Sequence, residues 1–321
     1  MWAHVLDGPM RFKTIEVPDP LNAPLAEGDV ILRFLAGGIC GSDLPAFRGQ
    51  RRLVDTGPAG AATVGAPMHE VAGEVVRSGD PALAAGSIVV GWADKANGLT
   101  EYVVTKSTSV RAFSGDHDPA VAILLQPLAC VLSAADRLPD IAGKRVAVIG
   151  QGPIGVLFAH VLKSLGAGHV TGVDRIDRTG GGAQFGTDEF ARMSSDQWAA
   201  GLAPGERPYL VVEAVGHQVA TVTDAVNAVA PFGHVYCFGI PDEAVYPFPM
   251  NQFLRKHLTM QSGVTIERPT WLAAADAYLE KHPDLAETYV TGVFGADNPQ
   301  AAFDAAINPQ PGQVKLTLSL S

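Results

Sequence analysis

The chain has 321 residues, 47% hydrophobic and only 17% charged, which describes a folded protein large enough for two domains and excludes an intrinsically disordered one. A formal charge of −10 with no dense Lys/Arg stripe excludes an electrostatic nucleic-acid surface, and the pair Arg51-Arg52 is too short to supply one. Three cysteines (Cys40, Cys130, Cys237) make no secreted disulfide scaffold, the start lacks a signal-like apolar core, and Lys144, Arg145, His160 and Lys163 interrupt the apolar run around Val146. The expectation is a cytoplasmic protein that does not span a membrane.

The first third reads as short extended segments between turns. Val30–Leu35, Val71–Val76, Ile88–Val90 and Glu101–Val104 are strand candidates bounded by Gly, Asp and Pro. Their imperfect alternation suits a barrel-like, mostly β domain better than a flat two-sided sheet. Pro119–Leu138 turns alanine- and leucine-rich and predicts a helix. From Lys144 the pattern becomes strand–helix units: strands at Val146–Ile149, His169–Asp174, Tyr209–Ala214, His234–Phe238 and Leu258–Ser262, with a crossover helix over Val219–Ala230. The glycine run Gly180–Gly182 disfavours a helix directly after the second strand and predicts a loop. After Glu267 the chain returns to helices and a terminal strand, Val314–Leu320, too short to be independent. The fold class is therefore α/β: a doubly wound parallel sheet over 126–264, with 1–125 and 265–321 forming the other domain.

The stretch from Val146 to Asp174, VAVIGQGPIGVLFAHVLKSLGAGHVTGVD, carries the strongest chemical signal. Gly150, Gly152 and Gly155 fall between a predicted strand and helix. The first allows the tight turn, the second lets the backbone approach a pyrophosphate, and the third lets helix and sheet pack. With Pro153 and Ile154 they open a helix whose first amides face an anion. Asp174 would accept ribose hydroxyls and repel a 2′-phosphate, which favours NAD over NADP. Arg175, placed beside the cofactor, and Arg178 keep the phosphorylated cofactor as an alternative. The bland reading is an ordinary glycine-containing crossover.

Two further segments hold metal-type donors, GGICGSDLPAFRG at Gly37–Gly49 and GAPMHEVAGEVV at Gly65–Val76. Cys40 can be read as a buried apolar thiol, and His69 and Glu70 as ordinary polar residues. Together, a thiolate, an imidazole and a carboxylate offer suitable chemistry for zinc.

These segments, with QPLACVLSA at Gln126–Ala134 and the glycine turn, resemble the zinc-dependent branch of the medium-chain dehydrogenase/reductase superfamily. The likeness is nearest to its sorbitol, threonine and glucose dehydrogenase-like members, and the segment order matches along essentially the whole chain. The resemblance implies a GroES-like catalytic domain completed by the C-terminal tail. It also implies one catalytic zinc on Cys40 and His69, with Glu70 as a direct or exchangeable ligand. Gln126 stands where the family usually has a carboxylate, so its part in the metal shell stays open. Pro45 replaces a relay histidine while Ser42 remains, and Ser133 replaces another histidine. The lobe that usually carries structural zinc is reduced to GWADKANGLTEYV, with no cysteine, so four-cysteine zinc is excluded.

On this resemblance the expected reaction is hydride transfer between NAD(H) and a secondary alcohol or ketone, a polyol or sugar derivative among the options, with substrate oxygen on zinc and Ser42 passing the proton. Asp43, Arg48 and Trp92 are pocket-side candidates; their bland readings are a turn residue, a surface cation and core packing. His4 and His117 read as surface or loop histidines without a role. A zinc-free NAD(P)H-dependent carbonyl or enoyl reductase, and a non-catalytic nucleotide-binding protein, are the alternatives. A homodimer is expected through the nucleotide-sheet edge, from Val235–Phe238 and 258–264, with a tetramer as the option beyond it.

Overall fold

The structure, a computed structural model, describes residues 1–50, 63–114 and 117–320; the pair Arg51-Arg52 lies outside the described residues. Strands β1 (Trp2–Leu6), β2 (Phe12–Glu16) and β3 (Asp29–Gly38) precede the short helix α1 (Leu44–Phe47), then β4 (Glu70–Ser78), β5 (Ile88–Trp92), β6 (Tyr102–Lys106) and β7 (Val110–Ala112). Helices α2 (Pro119–Ala122) and α3 (Leu125–Ala135) lead to β8 (Arg145–Ile149), α4 (Pro153–Ser164), β9 (His169–Asp174) and β10 (Glu189–Arg192). There follow α5 (Ser195–Gly201), β11 (Leu210–Glu213), α6 (Ala220–Ala228), β12 (His234–Cys237), α7 (Met250–Arg255) and β13 (Thr259–Ser262). The tail carries α8 (Arg268–Lys281), α9 (Asp284–Thr288), β14 (Val290–Gly295), α10 (Pro299–Ile307) and β15 (Lys315–Ser319). Two compact units result. One comprises 1–129, 266–308 and 315–321; the other comprises 130–265 and 309–314.

In the first unit a seven-stranded sheet runs β14-β15-β3-β4-β5-β7, with β6 also paired to β3. The order is open: among the described residues the strands do not close into a barrel. The strand β3 is paired by β4, β6 and β15 and is buried along most of its length, which explains its imperfect alternation. The tail strand β15 lies antiparallel on β3, with Thr317 opposite Gly38 and Leu318 opposite Gly37. Below it the aromatic cluster Phe12, Phe47 and Phe303, with ring centroids 5.0–5.4 Å apart, fastens α1 to α10. His4 is corrected from a surface histidine to a buried one: it lies in β1, with Nε2 bonded to Ala296 O at 2.9 Å and Nδ1 to Thr14 Oγ1 at 3.0 Å.

The helix expected over Pro119–Leu138 is two helices. Asp118 caps α2 by accepting from the Ala120 amide at 2.8 Å, and α3 restarts at Leu125. Pro127, which has no N–H, then falls in the first turn of α3, where none is needed.

The second unit holds six strands in the order β10-β9-β8-β11-β12-β13, every pair parallel. Chain order reverses between β8 and β11, and the carboxyl ends of these two strands therefore mark the crevice where doubly wound sheets take their ligands. The edge assignment changes: β12 is interior, between β11 and β13, because α7 returns the chain to add one more strand outside it. Only β13 and β10 are edges. Gly180–Gly182 are all left-handed and form a loop, after which β10 adds a short strand that the sequence did not announce.

Candidate active site

Cys40, His69 and Glu70 converge in the first unit. Their ligand atoms (thiol sulfur, imidazole nitrogen and carboxylate oxygen) all lie within 4.8 Å of one another. Cys40 ends the segment after β3 and precedes the turn Gly41–Asp43, while Glu70 begins β4 directly opposite Gly38. The register of β3 on β4 thus brings together residues that are distant in sequence. A side chain at Gly38 is impossible here: its Cβ would stand 2.2 Å from Glu70 Oε2 and 2.5 Å from Ile123.

Asp43 is not a plain turn residue. It is fully buried, accepts from the Cys40 amide at 3.0 Å and bonds His69 Nδ1 at 2.7 Å. It therefore fixes the backbone of Cys40 and the ring of His69, and Nε2 is the imidazole nitrogen that could face a metal. Burial opposes a charged His69. The charge and hydrogen bond of Asp43, with the adjoining Cys40 sulfur, nevertheless hold the imidazole well above its ordinary range. The signal available in the sequence was only CGSD itself; the partner that reveals Asp43's task lies 26 residues away.

A second residue was not anticipated at all. Lys315, at the start of β15, is buried and donates to Glu70 Oε1 at 2.7 Å and to Ile39 O at 2.9 Å. Glu70 Oε2 lies 2.6 Å from the same ammonium in the ion pair, yet without hydrogen-bond geometry. Both Glu70 oxygens thus lie against the ammonium, Oε1 with hydrogen-bond geometry and Oε2 at ion-pair distance. The donor set fits zinc: a thiol sulfur, an oriented imidazole and a carboxylate make three protein donors, the number characteristic of an open catalytic centre. Gln126 is buried in the first turn of α3, its backbone N–H donating to Ile123 O at 3.1 Å.

Of the other pocket candidates, Ser42 shares the turn with Asp43, Pro45 is buried in α1, and Arg48 is exposed at the end of α1. Trp92 ends β5 directly opposite Glu70, only 7% exposed, with the Arg268 guanidinium 4.9 Å above its ring.

In the second unit the glycine turn is built as its sequence requires. A Cβ on Gly155 would stand 1.7 Å from Gly150 O, whereas one on Gly152 would meet nothing within 4 Å, so the space in front of the turn is open. Gly152 caps α4 without a side chain and Pro153 takes its first position, which leaves the next amides unbonded by any cap. Asp174 ends β9. Its Oδ2 accepts from the Gln151 backbone N–H at 2.8 Å and its Oδ1 from the Ile176 backbone N–H at 3.0 Å. Arg175 is exposed. Arg178 is partly buried; burial pulls its guanidinium below the ordinary value, opposed by the charge of Asp174, and Nε makes no hydrogen bond.

Comparison with known proteins agrees with both units. Residues 26–116 match the alcohol dehydrogenase GroES-like domain and residues 153–280 the zinc-binding dehydrogenase family. An L-threonine 3-dehydrogenase from Bacillus subtilis is 28% identical over 262 residues, covering 79% of this chain and 74% of that protein. An L-idonate 5-dehydrogenase (NAD(P)(+)) from Escherichia coli is 26% identical, covering 73% and 76% respectively. The fold is that of an alcohol dehydrogenase from Thermus sp. ATN1, with a TM-score of 0.83, 23% identity and 100% of both chains covered. The chain belongs to the zinc-dependent medium-chain dehydrogenase/reductase superfamily, in its sorbitol/threonine dehydrogenase-like branch. Within it the protein is an enzyme of the alcohol dehydrogenase type, catalysing NAD(P)-dependent alcohol oxidoreduction. Among the described residues no helix is long and apolar enough to cross a membrane.

Proposed function

We propose that the protein is an NAD-preferring oxidoreductase of secondary alcohols and their ketones, polyols and sugar derivatives among them. One zinc ion would be held by Cys40 and His69, with Glu70 as an exchangeable third donor. The observation that carries this reading is the convergence of the three donors within 4.8 Å, with Asp43 locking the imidazole. When bound, zinc supplies Lewis acidity toward an alcohol or carbonyl oxygen, and nicotinamide supplies the hydride acceptor or donor.

The chain's own residues have separate tasks. Asp43 keeps His69 in one tautomer and one orientation. Lys315 pairs with Glu70 and would temper the donation of its carboxylate to a bound metal. Ser42, two residues past Cys40, takes the hydroxyl proton during oxidation; Pro45 has no group to carry it further, so water completes the path. Gly150, Gly152, Pro153, Ile154 and Gly155 present α4 to the pyrophosphate, and Asp174 receives the ribose hydroxyls through the lone pairs its loop bonds leave unused. The negative charge of Asp174 supports NAD; Arg178 supports tolerance of NADP. Replacing Asp174 with alanine should lower the preference for NAD.

The neutralised Glu70 and the neutral Gln126 favour one rival, a zinc-free NAD(P)H-dependent carbonyl or enoyl reductase. Metal content and turnover of wild type, C40A, H69A and Q126E on a panel of secondary alcohols and polyols separate the two. Loss of zinc and of alcohol-dependent NAD reduction in C40A and H69A supports the zinc reading; full activity of metal-free protein overturns it. Higher zinc retention in Q126E would put residue 126 on the metal. Pairing of β13 with a second copy, in a cytoplasmic homodimer, completes the proposal; its exposed Thr259, Gln261 and Ser262 suit an edge awaiting a partner.

A further inference from the structure

Trp92 and Glu70 are directly opposed on antiparallel strands, so their side chains share a face of the sheet. The Ala93 amide also donates to His69 O at 2.8 Å, tying the end of β5 to the metal-donor segment. Trp92 therefore stands beside Glu70 of the donor cluster, on the same face of the sheet. Its position is held from behind by a set of groups drawn from three parts of the chain.

The Arg268 guanidinium lies over the indole at 4.9 Å, and its Nη1 is ion-paired with Asp94 and donates to Ser109 Oγ at 2.8 Å. Asp94 also accepts from Ser109 Oγ at 2.9 Å, from Thr105 Oγ1 at 3.0 Å and from the Lys106 amide at 3.1 Å. Thr105 Oγ1 also stands 2.7 Å from Trp92 O and shares its single proton between the two acceptors, so the hydroxyl bridges the tryptophan backbone and the carboxylate that holds the cation on its ring. Burial alone would raise the Asp94 carboxyl; the bonds from Ser109, Arg268, Lys106 and Thr105 hold it below its ordinary value. Glu267, immediately before Arg268, sits in the left-handed region at φ 52°, a strained conformation for a side chain of that size at the entry to α8. So many constraints on a single arginine exceed what capping a helix requires.

We propose that Arg268 is a positioning residue that, anchored by Asp94, sets the place of Trp92 and thereby the substrate size admitted beside the metal donors. The inference rests on the reading of that cluster as the active site. Its chemistry identifies the discriminated feature as the bulk of the carbon chain flanking the reacting oxygen, because the indole is apolar and aromatic. Removing the cation removes a face-on contact whose loss corresponds to about a fivefold effect, and frees the ring to turn into or away from the pocket.

The test uses the zinc-loaded protein and its R268M, R268K, D94N and W92F variants, with NAD and two secondary alcohols of different bulk, 2-propanol and cyclohexanol. R268M is expected to change the cyclohexanol-to-2-propanol ratio of kcat/KM about fivefold, chiefly through KM, with zinc content unchanged. R268K should restore part of the ratio. The fluorescence of Trp92, obtained as the difference from W92F and measured on metal-free protein, should shift in R268M and D94N. An unchanged ratio, a uniform loss on both alcohols, or an unmoved Trp92 signal overturns the inference. Undiminished turnover by C40A would instead defeat the site assignment, leaving the fluorescence arm to decide the clamp by itself.

Discussion

The Lys315–Glu70 pair offers a sharp test of how the cluster is balanced. Both side chains are 1% exposed, so K315M would strand a carboxylate with no countercharge and would also orphan Ile39 O. Breaking a buried ion pair from one side costs about 3–5 kcal/mol, most of it the desolvation of the partner left behind. For a chain of this size that corresponds to a fall in Tm of roughly 4–8 °C. In E70Q/K315M no unpaired charge remains, so the double variant should lose less than the sum of the single losses, with a coupling of at least about 1 kcal/mol. Calorimetric unfolding of metal-free wild type, E70Q, K315M and the double variant measures this directly. Added zinc should recover part of the loss in K315M, where Glu70 is released to the metal, and less in the double variant. A loss below about 1 kcal/mol in K315M, or strict additivity, would refute the view that Glu70 is shared between an ammonium and a metal.

Asp43→Asn keeps the shape but weakens the hold on His69; zinc affinity, read by chelator competition, should fall about 10–100-fold, and an unchanged affinity would leave Asp43 a structural residue only. Gly155→Ala puts a methyl 1.7 Å from Gly150 O, which should cost at least about 3 kcal/mol and abolish NAD binding by titration calorimetry; wild-type stability would show that the turn is looser than described. Asp94→Asn tests linkage. Because the folded carboxyl lies below the ordinary value of 3.8, its contribution is present above that value and is lost as pH falls through the lower folded value. Wild type should exceed D94N by roughly 2 kcal/mol at pH 7, and the gap should close below about pH 4; a gap independent of pH would contradict the hydrogen-bond account.

The legible parts of the chain were those whose cause is local. His169–Asp174 has its observed bounds because an apolar run closes on a loop-forming charge, and Gly150–Gly155 reads directly because each glycine answers a steric demand within its own turn. Cys40, His69 and Glu70 were legible as chemistry, and their meeting depends on the β3–β4 register. What escaped was non-local. Asp43 resembles any turn aspartate until His69 is folded onto it. Lys315 sits in an otherwise apolar strand, where a single cation carries no motif, and Arg268 looks like the first residue of an ordinary helix. The strands β1, β2 and β10 lack a periodic signal of their own, and the break between α2 and α3 followed from the placement of one proline.

The pairing of Glu70 with a lysine 245 positions later has a consequence for biogenesis. The strands that carry the donors are synthesised early, but their countercharge arrives only after the entire doubly wound sheet has been made. Until then β3 also lacks β15, its antiparallel neighbour, and the carboxylate cannot be buried without a countercharge. On the proposed zinc reading, a metal bound during translation would stand in for the missing ammonium, and its supply would bear on folding yield as well as on occupancy. Expression under zinc limitation should slow maturation before it lowers the activity of molecules already complete.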